Sequence, residues 1–168
     1  MTNMADIGRG ATDRVVSVLI ANTGLAQSVA AISREQHVAV APIGEEQVIA
    51  RNVAFDLAER VETVKYPAVY VYCQKISNQL KEKFRSFSGQ AHMVIEIRIS
   101  SDRLEGLEHE LQLYAGAVTQ VLDQHRGDWG KGMLYAGGYE AVFGSAKRGG
   151  KNWLQTAKVT FEVEVSIA

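Results

Sequence analysis

The sequence predicts an α+β domain, a mostly antiparallel sheet of about four to five strands with helices on one face. Three stretches carry this prediction. Lys158–Ile167 alternates strictly, with Val159, Phe161, Val163, Val165 and Ile167 on one side and Lys158, Thr160, Glu162, Glu164 and Ser166 on the other. Ala91–Ile99 alternates in the same way, placing Ala91, Met93, Ile95, Ile97 and Ile99 opposite His92, Val94, Glu96 and Arg98. Between them, Leu104, Leu107, Leu111, Tyr114, Val118, Val121 and His125 recur at steps of three and four, the stripe of an amphipathic helix. The strand face and the helix stripe match, so Val159, Phe161, Val163 and Val165 should pack on Leu107, Leu111, Val118 and Val121.

The remaining elements follow in order. Met1–Ala11 is small and polar and reads as an N-terminal arm, leaving residues 12–168 as one domain. Thr12 or Asp13 is a suitable N-cap for a first helix, whose apolar residues run from Val15 to Ile32 with a break at Gly24. Residues 34–65 mix periodicities, with His37–Ala41 a candidate short strand and Pro42 and Gly44 marking a turn. Pro67 opens a strand at Ala68–Gln74, whose unbroken apolar run suits a strand covered on both faces. Lys75–Ser88 reads as a long connection. Asp102 followed by Glu105 resembles a capping box for the second helix, and Arg126 and Gly127 suit its end. Gly106 and Gly116 inside that helix each cost it about 1 kcal/mol and anticipate closely packed neighbours. Asp128–Gly138 is glycine-rich, Tyr139–Phe143 suits a strand, and Gly144–Asn152 a basic turn.

Composition narrows the function. Hydrophobic residues make up 46 % of the 168 and charged residues 22 %, which excludes a largely disordered chain. A formal net charge of −1 offers no general field for nucleic acid or an anionic membrane. Cys73 is the single cysteine and sits in an apolar run, so it reads as a small buried hydrophobe. The start has no apolar core of a signal peptide, and no stretch has the length of a membrane span. These features point to synthesis in a reducing cytosol.

Chemical motifs do not assemble. The closest window to a phosphate-binding loop, Ser145–Asn152, has Ser for the first glycine, Asn for the metal-binding hydroxyl, and a strand after it. His37, His92, His109 and His125 share no ligand spacing. Glu162 and Glu164 lie on one strand face about 7 Å apart, but so does any solvated pair of strand carboxylates. No catalytic, cofactor or metal-binding residue is therefore assigned. Two basic-aromatic clusters stand out instead. One is Lys81, Lys83 and Arg85 with Phe84 and Phe87; the other is Lys147, Arg148 and Lys151 with Trp153. Opposing them in charge is the helix start, Asp102, Glu105, Glu108 and Glu110. All are interface candidates.

The order of elements carries a resemblance. A leading helix precedes Tyr66–Tyr72 (YPAVYVY), a polar connection, Met93–Ile99 (MVIEIRI), Leu104–Leu111 (LEGLEHEL) and a closing hairpin ending at Arg148–Val165 (RGGKNWLQTAKVTFEVEV). This layout, over about Thr12–Ala168, resembles the tail-terminator (tail-completion) proteins of long-tailed bacteriophages and their neck-region relatives. The resemblance implies a hexameric ring that caps the tail tube, ends its polymerisation and joins the head connector, with DNA passing through the lumen. It implies no enzyme activity and no cofactor. The alternatives are another head–tail connector or minor tail protein, or a small hydrolase or ligand-binding domain using 128–138 as a pocket wall.

Overall fold

The computed structural model describes residues 3–61 and 63–168. Among the described residues, four α-helices and eight strands, with a short 3-10 turn at Glu45–Gln47, follow one another as α1 (Met4–Ile20), α2 (Leu25–Glu35), β1 (Val48–Ile49), α3 (Phe55–Val61), β2 (Ala68–Asn78), β3 (Phe87–Ser101), α4 (Leu107–Asp123), β4 (Gly127–Gly130), β5 (Met133–Tyr135), β6 (Glu140–Phe143), β7 (Lys147–Gly149) and β8 (Asn152–Ile167). The eight strands form one sheet, in the order β1-β2-β3-β8-β5-β4, with β6 and β7 also paired to β8. The α+β class holds. The sheet has more strands than the sequence predicts and is mixed, because β1 runs parallel to β2.

The frame is the pair β3 and β8, which run antiparallel from Phe87↔Ile167 to Ser101↔Trp153. The other edge of β8 is shared in turn by β7, β6 and β5. That sharing explains why the sequence shows one long alternating strand opposite several short, weakly patterned ones. Gly89 is required by close approach: a Cβ there would lie 1.8 Å from the Ser77 carbonyl oxygen across the β2–β3 ladder.

Helices α1 and α4 pack on one sheet face and α2 packs against α4 and α1, whereas α3 lies on the other face with Ala68, Tyr70 and Arg98, so the helices are not confined to one face as the sequence predicts. Val159, Phe161, Val163 and Val165 are buried in one cluster with Leu107, Leu111, Val118 and Val121, as the two periodicities predict. Ile7, Ala11, Val15 and Leu19 of α1 join that cluster. Gly116 meets α2, where Ile32 would stand 3.8 Å from an added Cβ. The Ser28 hydroxyl, 3.1 Å from the Ala117 carbonyl, fixes the same crossing.

Several boundaries differ from the sequence reading. Residues 4–11 belong to α1 and are not an arm; Met1 and Thr2 lie outside the described residues. Asn3 caps the helix by accepting from the Asp6 N–H, and the Asp6 carboxylate accepts from the Asn3 N–H. Buried Ile7 and Ala11 supply the apolar stripe that the small, polar composition concealed. His37–Ala41 forms no strand, and β2 runs on to Asn78, shortening the connection to 79–86. Helix α4 begins at Leu107, one turn beyond the anticipated capping box. Gly106 adopts a left-handed φ of 79° just before the helix, so Asp102 and Glu105 make no cap; an added Cβ there would meet nothing within 4 Å, so the backbone conformation and not a close neighbour accounts for this glycine.

Candidate interaction surface

The predicted interface residues separate into those that reach solvent and those that the fold consumes. Lys81, Lys83, Phe84 and Arg85 form the exposed tip of the β2–β3 hairpin. Phe84 is 100 % exposed, and both it and exposed Leu80 hold positive φ, 63° and 48°. A non-glycine residue there carries a backbone cost. The base of this hairpin is pinned. Asn78 Oδ1 accepts from the N–H groups of Ser88 and Leu80 at 3.1 and 3.3 Å. The Glu82 N–H donates to Ser88 Oγ at 3.1 Å, and Ser166 donates to Glu82 at 2.9 Å. The result is a braced apolar finger flanked by cations, of which Arg85 pairs with Glu82 at 3.4 Å. Phe87 is not part of it: its ring is buried in the core beneath the hairpin.

The second basic cluster is more self-contained. Lys147–Gly149 pairs with Asn152–Leu154 as a hairpin, and the Arg148 guanidinium lies 4.9 Å from the Trp153 ring centroid. Trp153 packs against the main core and is half-buried, so it is support for this hairpin and no free contact. Lys147, Arg148 and Lys151 remain exposed.

Asp102, Glu105 and Glu108 are exposed around the start of α4. Beside them lies a notch of about 410 Å³ lined by Leu104, Glu108, Phe143, Gly144, Ser145, Ala146 and Gln155. Its lining is more polar than apolar: Leu104 and Phe143, 50 % and 37 % exposed, supply the large apolar surface and Glu108 the charge. The finger and the notch lie at opposite ends of β8, about 40 Å apart by strand rise.

A strand edge is also open. Among the described residues β1 pairs with β2 at Val69 and Tyr70, and no strand pairs with that edge of β2 from Val71 onward. A groove of about 790 Å³ runs there between Met4, Gly8 and Thr12 of α1 and Val71–Ile76. Cys73 lines it and is half-buried, less enclosed than its apolar context predicts. Burial pushes its thiol pKa up, which makes it a poor nucleophile.

No group of three or more His, Cys, Asp or Glu residues among those described could hold a metal ion. Glu162 pairs with His92 at 3.2 Å, while Arg98 pairs with Glu96 of its own strand at 3.1 Å. The glycine-rich 128–138 stretch builds the β4–β5 hairpin. Its Trp129 and Tyr135 rings meet Phe161 edge-on and tilted, with centroids 6.4 and 5.2 Å away, while Gly137 and Gly138 at its far end border an open cleft of about 440 Å³ that also takes in His92, Tyr139 and Glu162. No single helix among the described residues is long and apolar enough to cross a membrane. A comparison with protein-family models finds no match, and neither does a comparison with curated proteins.

The sequence reading missed the notch and the buried Arg98. Leu104, the first residue of the predicted helix stripe, lies before α4 and is 50 % exposed, and Phe143 acquires its place from pairing opposite Ala157.

Proposed function

We propose that this chain is a structural assembly protein that works by joining copies of itself and neighbouring proteins, in the manner of a phage tail terminator or neck protein. The observation that carries this reading is the braced finger with Phe84 fully exposed on left-handed backbone. An isolated domain gains nothing from holding a large apolar ring in water at a conformational cost; a partner that buries it does. The open β2 edge supports the same reading, since its unpaired N–H and C=O groups can accept a further strand. The six-fold ring, the tail tube and head connector as partners, and the neck location come from the resemblance in the order of elements.

Electron microscopy of assembled tails, with this chain labelled, tests the proposal. The expected result is density for the chain at the head–tail junction with six-fold symmetry. Its absence from that junction, or a symmetry there that is not a multiple of three, sinks the reading.

A further inference from the structure

We infer that the receptor for the Phe84 finger is the Leu104–Phe143 notch of a second copy of this chain, so that neighbouring copies join end to end in a heterologous contact. This rests on the reading that the chain self-associates, and names the surfaces that do so. The finger presents Leu80 and Phe84, exposed at 63 % and 100 %, between Lys81, Lys83 and Arg85. The notch presents the complement. Leu104 and Phe143 offer apolar contact within an otherwise polar lining, Glu108 is the one charged residue lining it, and Asp102 and Glu105 stand nearby in sequence against the single cation Arg103. The cations of the β7–β8 hairpin share this end of the molecule but do not line the notch. With finger and notch about 40 Å apart along β8, a copy cannot fill its own notch. A knob on one end and a socket on the other form a head-to-tail contact, which closes into a ring if the rotation between copies allows. The braced hairpin base lowers the ordering cost of docking.

Two experiments test this on the full chain. In the first, Phe84 is replaced by p-benzoylphenylalanine, and the protein is irradiated at about 1 mM, where even a weak contact is populated. Mixing isotopically heavy and light chains marks the cross-links that join two copies. The expected products join position 84 to residues 104–108 or 143–146 of another copy. Inter-chain products at other sites, products within one chain alone, or no cross-link at all overturn the inference.

In the second, Phe84→Ala and Leu104→Glu change exposed side chains and should leave the fold intact, checked by circular dichroism. Each should weaken self-association in sedimentation by about tenfold or more. Mixed together, the two variants should form a dimer, because one still has its notch and the other its finger. Unchanged association of either variant, or a mixture that stays monomeric, counts against the pairing. The outcomes separate from those for the tail location. A chain found at the head–tail junction whose finger cross-links elsewhere loses this contact and keeps the ring. A chain absent from tails that forms the predicted cross-links keeps the contact and loses the ring.

Discussion

The two faces of the sheet are built on different physics. On one, the odd-numbered residues of β3 and β8 meet α1 and α4, with α2 behind them, in an apolar layer from Ile7 to Val165. On the other, a small cluster of Ala58, Ala68 and Tyr70 lies at one end, beside an ion pair. Arg98 is 2 % exposed there. It donates to Glu96 at 3.1 Å, donates to the Val53 carbonyl, and stacks between the Tyr70 and Phe55 rings at 4.1 and 5.3 Å. The first face gains stability from area removed from water. The second ties the α3 segment down with one cation, whose burial is tolerable because its charge and donors are met. Removing a methylene from the first should cost a graded amount, whereas removing the cation from the second should cost an abrupt one.

The largest expected effect is on the helix-covered face. Phe161 touches Trp129 and Tyr135 and is 4 % exposed, so Phe161→Ala should lower stability by about 3–5 kcal/mol in urea denaturation. An unchanged midpoint would break the account of this core.

Arg98→Ala should cost about 3 kcal/mol, because it strands the Glu96 carboxylate, itself 7 % exposed. The double variant Arg98→Met with Glu96→Leu should recover most of that loss. A double variant as unstable as the single one would mean that the cation acts through packing alone.

Alkaline titration probes both faces together. Burial, aided by the Glu96 carboxylate, pushes Tyr72 up from 10.0 to about 12 on the open face. Burial, with Asp123 near, does the same for Tyr135 on the other, to about 12. Tyr114, donating to the Ala41 carbonyl at 2.7 Å, is raised further, again chiefly by burial. A raised folded value means that the folded state holds its proton more tightly. The contribution is complete below pH 10.0 and is lost as pH rises towards about 12. Denaturant midpoints should therefore fall across that window, and less steeply in Tyr72→Phe and Tyr135→Phe. A flat profile would contradict the burial of these phenols.

The smallest effect is expected at the edge of the helix layer. Asn3→Ala removes the capping box of α1 and should cost about 0.5–1 kcal/mol. A loss near zero would return residues 4–11 to the status of an arm, and amide exchange in Ile7 and Gly8 would then be fast.

The sequence by itself determined the α+β class, the pairing of the α4 stripe with the β8 face, and a packed neighbour at Gly116, though not at Gly106. Each is a local periodicity or a local steric demand, and neither needs knowledge of what lies elsewhere in the chain. It also singled out the basic, aromatic tip at Lys81–Arg85, because charge and rings together are visible in composition. What it did not separate was Phe84 from Phe87, three residues apart. One is fully exposed and the other buried, since the turn at 79–86 and the start of β3 fix which ring faces inward. The same holds for Trp153 beneath Arg148 and for Arg98, which reads as a solvent-facing strand residue until α3 folds over it. The notch was invisible for a like reason. Leu104 and Phe143 are far apart in the chain, and only the pairing of β6 with β8 sets them side by side. Periodicity reports which side of an element is apolar, but what lies across from that side depends on contacts between distant residues, and those only the tertiary structure decided.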